Sequence, residues 1–275
     1  MNIKPECMVC LLNQALKVAK LLKLSDEETK KIMDETTSLL PKYDLNHTPP
    51  QIAKDEYALI SSLTREGDPL KEIKEKSTQL AKSIDTSFIK TLHDAIKASV
   101  IGNVIDFGAQ MQFDINLMFK EEFNKEFSVD DFKQFQNDLK NAKTMVILGD
   151  NVGEHIFDKL LMEKIRELYD IKIYYFVRGK PIINDITNEE AKILEDVAVI
   201  VDTGVATPGY ELREANEYSK KIFRKADIVL SKGMGNFESL YNLTDREIYY
   251  LFVVKCEVVA SAIKKNIKDT VFFKG

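Results

Sequence analysis

From Lys143 onward the chain repeats one pattern: a short β-branched or aromatic run, then a stretch with helical spacing. The runs are "TMVILG", "IKIYYFV", "VAVIVD", "DIVLS" and "YYLFVV". Each is apolar nearly throughout instead of alternating, as expected for strands covered on both faces, and such strands belong to parallel sheets. Helical patterns are read over 152–169, 188–196, 208–225 and 237–242, with a last one after 255. Strands alternating with helices predict a three-layer α/β fold with a mainly parallel, Rossmann-like sheet.

The residues before this pattern read as helix after helix, each with a recognisable start. Pro5 opens one whose apolar side carries Leu11, Leu12, Ala15, Val18 and Leu22. Ser25 and Glu28 have the spacing of a capping box for the next, which should stop before Pro41. Thr48 with Pro49, and Asp68 with Pro69, combine a capping residue with Pro at the first helical position. A fifth helix is expected over 86–100. After a mixed segment beginning "GNVIDF", Ser128 and "VDDFKQFQNDLKNA" predict a helix leading into the second half. The expected organisation is a helical domain over residues 1–137 and an α/β domain over 138–275, without an internal repeat.

Composition narrows the partners. The net charge of −5 has no local Lys and Arg cluster to offset it, which argues against a nucleic-acid surface. The longest apolar runs fall far short of the ~20 residues a membrane span needs, and the charged N-terminus does not read as a signal peptide. Three cysteines suit a reducing compartment. A cytoplasmic protein with a small-molecule partner is expected, and the oligomeric state stays open.

In sheets of this kind ligands bind beyond the carboxyl ends of the strands. Those ends carry Asp150 and Asn151, then Arg178, then Asp202, Thr203 and Gly204, then Lys232 and Gly233. Asp185 follows the second strand closely and stands just before Thr187, whose spacing to Glu190 makes a capping box of its own. Helix capping needs only one of Asp150 and Asn151. Two carboxylates and an amide oxygen from Asp150, Asn151 and Asp185 make an all-oxygen set suited to a divalent ion such as Mg²⁺ or Mn²⁺. His155 reads as an ordinary helix residue. In "SKGMGNFESL", Lys232 ends a strand and two glycines precede a helix start, where backbone N–H groups can approach an anion. The same glycines also fit a simple tight turn. Together with Arg178 and a cation site, a phosphate cradle is the better account, and the combination predicts phosphoryl chemistry.

"GDNxGE" at 149–154, "RGxPxxNDxT" at 178–187 and "KGxGNFE" at 232–238 resemble the signatures of the DUF89 family, the metal-dependent damage-control phosphatases, also described as ARMT1-like. "DPLKEIK" and "GNVIDF" extend the likeness into the helical half, and the N-terminal CxxC of "CMVC" resembles the stand-alone microbial branch. The resemblance implies a metal-dependent phosphatase acting on sugar phosphates, damaged cofactor intermediates or similar phosphometabolites. It matches Asp150, Asn151 and Asp185 to the metal ligands, with Mn, Ni, Co or Mg as the ion, and Lys232 to the phosphate-binding lysine. Arg178, Gly204, Gly233 and Asn103 are candidate phosphate or substrate contacts, and Asp106 a further one; a helix-ending Asn and a surface Asp would account for Asn103 and Asp106 equally well.

A water held at the cation could attack phosphorus, or Asp150 or Asp185 could serve as nucleophile or general base; the sequence does not choose. Two rivals remain. Another branch of the family is proposed to methylate protein carboxylates, although "GDNVGE" is acidic where the carboxylate of a methyl-donor cofactor would lie. A non-catalytic metal or metabolite-binding protein would keep the same ligands without turnover. Cys7 and Cys10 share one helix face, with only Cys256 and His47 left to complete a zinc set, so thiol packing is the default. His93 is expected on a helix surface.

Overall fold

The computed structural model describes residues 1–102 and 115–275. Before the gap between them lie helices α1 (Pro5–Leu21), α2 (Asp26–Leu39), α3 (Pro49–Thr64), α4 (Lys71–Lys82) and α5 (Leu92–Ile101). After it come α6 (Ile115–Phe123), β1 (Val129–Asp130), α7 (Phe132–Leu139), β2 (Thr144–Leu148), α8 (Glu154–Leu168), β3 (Lys172–Val177), α9 (Asn188–Ala191) and β4 (Val199–Asp202). The chain closes with α10 (Glu217–Lys225), β5 (Ile228–Lys232), α11 (Gly233–Leu240), β6 (Tyr249–Val253), α12 (Glu257–Ile263) and β7 (Thr270–Lys274).

Several starts follow the capping chemistry. The Ser25 hydroxyl accepts from the Glu28 N–H at 3.2 Å while the Glu28 carboxylate accepts from the Ser25 N–H at 2.9 Å, satisfying two end groups that a helix leaves open. Others differ from expectation. Asp68 caps a turn instead of a helix, its Oδ1 accepting from Leu70 N–H at 3.3 Å, and α4 begins only at Lys71. The fifth helix starts at Leu92, where Thr91 and Asp94 form the box, and not at 86. Helix α2 does end at Leu39, before Pro41 as expected, and Pro41 sits in the 3₁₀ turn Leu40–Lys42 that follows it.

The sheet runs β1-β7-β6-β5-β2-β3-β4, parallel at every pairing except antiparallel β6 with β7. In the centre Ile147 of β2 faces Leu230 of β5 on one side and Tyr175 of β3 on the other. Residues Met145 to Leu148 are wholly buried, as expected of a strand covered on both faces. Val129 and Asp130, read from the sequence as helix, instead pair in parallel with Val271 and Phe272. Residues 208–216 are also not helical. They cross the first turn of α11, where Asn236 Oδ1 accepts from Tyr210 N–H at 2.8 Å, and α10 begins only after its Asn216 cap. Helix α11 starts at Gly233, directly on the end of β5, earlier than the expected 237.

The apolar core lies on both faces of the sheet. A smaller cluster joins α1, α2 and α3 through Ala15, Val18, Ile32, Tyr57 and Ile60 and takes in Ile182 from the loop after β3. That loop, which carries Asp185, is thereby seated against the N-terminal helices. Among the described residues no helix is long and apolar enough to cross a membrane.

Candidate active site

Strand β2 ends in the turn Gly149 to Gly153, and the loop after β3 folds back on it. Asn151 and Asp185 form an isolated antiparallel bridge. Val152 N–H donates to Asn184 O at 2.8 Å, and Ile186 N–H donates to Asp150 O at 2.9 Å. Arg178 N–H in turn donates to Ile186 O at 3.0 Å, tying the loop to the end of β3. These contacts bring Asp150 and Asn151 from one strand end and Arg178 and Asp185 from the next to one place at the carboxyl edge of the sheet. Asp150 and Asp185 are 6% and 2% exposed, so both carboxylates are largely removed from water.

Gly233 completes this corner. Its φ is +76°, a region that favours glycine, and a Cβ there would overlap the Asp150 carboxyl group. The glycine at the first position of α11 therefore makes room for Asp150 against the helix start.

Arg178 is 1% exposed, and its Nε donates to Asp185 Oδ2 at 2.7 Å. Among the described residues its two terminal nitrogens, Nη1 and Nη2, have no hydrogen-bond partner although both are buried. Leaving charged donors unpaired in the interior is costly, so these nitrogens mark a place built for an acceptor. Burial raises the Asp185 carboxyl above the usual carboxylate range; Asp150 adds to the rise and Arg178 opposes it.

Lys232 is placed differently from the sequence expectation. Its side chain has no exposure and turns beneath the site. Nζ donates to Ser99 O at 2.9 Å, Glu154 Oε2 at 3.2 Å and Asp158 Oδ1 at 2.7 Å. An ammonium has three protons, and all three are taken. Asp158 is further held by the Ser99 hydroxyl at 2.6 Å and the Tyr175 hydroxyl at 2.7 Å. Burial raises the Glu154 carboxyl, which Lys232 opposes. The other end of Glu154 reaches the site, because Asn151 Nδ2 donates to Glu154 Oε1 and to Asp150 Oδ2, each at 2.9 Å.

The remaining expected residues fall into place unevenly. Gly204, with φ +75°, is exposed at the end of β4, and its N–H donates to Asp202 Oδ1 at 2.7 Å. Asn103 and Asp106 lie outside the described residues. His155 is fully buried; its Nδ1 accepts from Gly153 N–H at 3.0 Å, and burial lowers its pKa to about 4. It is thus a neutral packing and capping group. Cys7 is buried with Ile3, Leu11 and Ile52, and its Sγ accepts from Lys4 N–H at 3.4 Å, while Cys10 is exposed. His93 pairs with Asp130 at 2.8 Å at the sheet edge.

The family model described as the damage-control phosphatase ARMT1-like domain matches residues 3–271. This chain belongs to that family. An uncharacterised protein of Methanocaldococcus jannaschii is 33% identical, the match covering 99% of this chain and 95% of the relative. A protein of Pyrococcus horikoshii named damage-control phosphatase is 31% identical over 96% of this chain and 95% of its own. One of Archaeoglobus fulgidus with the same name is 28% identical, covering 98% of each. The crystal structure of a DUF89 family protein from Pyrococcus horikoshii has a TM-score of 0.91 and 29% identity, covering 100% of this chain and 99% of that one.

For a family of this kind the fit of a divalent cation is decided by the donor set. Among the described residues no three Asp, Glu, His or Cys groups converge into a ready cation site. The set at the edge of the sheet is of another composition, two buried carboxylates with one amide oxygen. Asp150 raises the cost of ionising Asp185, which a bound cation would relieve. Hard oxygen donors of net charge −2 suit Mg²⁺ or Mn²⁺, and the residues fit such an ion.

Glu154, Asp158, Ser99 and Tyr175 were not among the expected site residues. A signal for two of them was present: Glu154 and Asp158 are one turn apart on the same face of α8 as Phe157, Leu161, Met162 and Ile165, all buried. Two acids on an apolar stripe require a buried cation to answer them.

Proposed function

We propose that this chain is a phosphatase of small phosphorylated metabolites that works with a divalent cation, in metabolite damage control. The observation that carries the reading is the adjacency of opposite demands at one spot: two buried carboxylates from Asp150 and Asp185, and beside them Nη1 and Nη2 of Arg178, which have no partner among the described residues. A cation suits the first and a phosphoryl group suits the second, since a guanidinium fork matches two oxygens of a phosphate. The names of the Pyrococcus and Archaeoglobus relatives support the same activity.

Asp150, Asn151 and Asp185 would hold the ion. When bound, it supplies charge neutralisation and Lewis-acid polarisation of a phosphoryl oxygen. Arg178 binds the phosphoryl oxygens with its two terminal nitrogens while Nε keeps Asp185 oriented. Gly233 opens the first turn of α11, whose free N–H groups favour negative charge. Lys232 neutralises Glu154 and Asp158 from below, so the anions of the site do not accumulate unopposed.

The deciding experiment is a phosphatase screen over a metabolite panel, with each of Mg²⁺, Mn²⁺, Co²⁺ and Ni²⁺ and with excess EDTA. Phosphate release that needs an added ion is expected. Absence of turnover on every phosphoester with every ion, or full activity in EDTA, would refute the reading.

A further inference from the structure

Asn151 contributes an amide, and only one end of an amide can ligate a cation. Its nitrogen donates both protons, one to Asp150 Oδ2 and one to Glu154 Oε1. Rotating the amide by half a turn would press its oxygen against two carboxylates, so the oxygen is directed away from both. Glu154 is itself fixed, since its other oxygen accepts from Lys232 Nζ. Gly102 closes the far side: a Cβ there would lie 2.7 Å from Glu154 Cγ, so no larger residue leaves room for this rotamer.

We infer that Glu154 is a positioning residue that sets which end of the Asn151 amide faces the cation, and that Lys232 acts in this site by anchoring Glu154. The inference rests on the cation reading of Asp150, Asn151 and Asp185. It explains why a lysine beside the proposed phosphate site is fully buried with every proton engaged. It also explains why the acid at 154 is a glutamate reaching in two directions from the first turn of α8.

The isosteric change Glu154→Gln isolates the effect. Lys232 offers only protons, so it takes the Gln oxygen and leaves the Gln NH₂ facing Asn151. Two NH₂ groups cannot share a bond, so Asn151 loses one of the two acceptors that fix its amide and gains a donor that draws its oxygen inward, leaving Asp150 Oδ2 as the remaining hold on the orientation. The amide oxygen is then no longer held toward the cation by two partners, and binding weakens.

The test is direct titration with Mn²⁺ alone, followed by the electron paramagnetic resonance of the free ion, with thermal melts of each variant. Glu154→Gln should bind Mn²⁺ at least about tenfold more weakly, the scale typical of groups that orient a metal ligand. In an Asn151→Asp background the same substitution should not weaken binding, because a carboxylate has no wrong end and loses a repulsive neighbour. A Glu154→Gln protein with unchanged Mn²⁺ affinity would overturn the inference. So would equal weakening in both backgrounds, which marks a merely structural role. A wild-type protein that binds no Mn²⁺ would remove the cation reading itself and this inference with it. Independently of any variant, both side-chain amide protons of Asn151 should exchange slowly in the wild type, and fast exchange of the pair would count against the orientation.

Discussion

Gly233 lies so close to Asp150 that a single methyl group on its α-carbon would occupy the space of the carboxylate. The two residues come from different strand ends, Asp150 after β2 and Gly233 after β5, and the neighbouring pairing of those strands fixes their approach. Gly233→Ala should therefore fail twice over, through the positive φ of +76° and through displacement of Asp150. The backbone term alone is on the order of 1 to 3 kcal/mol. A lowered melting temperature together with loss of metal-dependent turnover is expected, and wild-type values of both would show that Asp150 does not need this space.

Arg178 and Asp185 make a second test. Arg178→Lys keeps the charge but offers one ammonium where the arginine offers Nε to Asp185 and two further nitrogens to a ligand. Arg and Lys differ in this respect by geometry rather than charge. The expected outcome is an increase in KM and in the inhibition constant of inorganic phosphate by about tenfold, the loss of roughly one charge-assisted bond. Unchanged values for both would remove Arg178 from phosphate binding.

For Lys232 the structure changes the expected experiment. The sequence placed its ammonium on the phosphate, from which one expects a folded, inactive Lys232→Ala. In the fold its removal strands Glu154 and Asp158 without exposure and without a counter-charge. Breaking a buried ion pair on one side typically costs about 3 to 5 kcal/mol. A large fall in the urea midpoint of Lys232→Ala is expected, accompanied by loss of turnover. A variant with wild-type stability and no activity would restore the phosphate-contact role.

How much was readable from the sequence can be judged residue by residue. The five apolar runs gave β2, β3, β5 and β6 inside the sheet and β4 at its edge, because a strand covered on both faces has nowhere to place polar groups. Val129 and Asp130 could not be read as a strand: two residues carry no periodicity, and they form the edge of the sheet beside β7, which ends in a lysine. The convergence of Asp150, Asn151, Asp185 and Arg178 was accessible from the rule that strand ends share one edge. The direction of Lys232 was not. Its partners sit on α5 and α8, and only tertiary packing decides whether a lysine at the end of β5 points up to a ligand or back under the sheet edge. Residues 208–216 were misread because the amphipathic pattern of α10 was extended backward through a segment whose backbone is bonded to α11 instead.

The last prediction concerns a buried acid remote from these residues. Glu56 of α3 is 1% exposed, and both carboxyl oxygens lack a hydrogen-bond partner among the described residues. Burial pushes its pKa up to about 8; the backbone of Ala15 lies near and opposes the rise, without a hydrogen bond to either oxygen. In the unfolded chain the group titrates near the ordinary glutamate value, about 4.3. Below that value it is protonated in both states and costs nothing. Between the two values the folded state holds a proton that the unfolded state has released, so stability falls as pH rises, by at most about 1.4 kcal/mol per unit. Above about 8 the loss levels off, as the folded-state group also ionises. Asp185 and Glu154 tilt the whole-protein curve in the same direction, so the wild type alone cannot isolate Glu56. The difference between Glu56→Gln and wild type can. Denaturant titrations at pH 5 and pH 9 should show the variant close to wild type at the lower pH and clearly more stable at the higher, because glutamine cannot ionise. A difference in unfolding free energy that is the same at both values would mean that Glu56 has a partner in solution that keeps its carboxyl in the ordinary range.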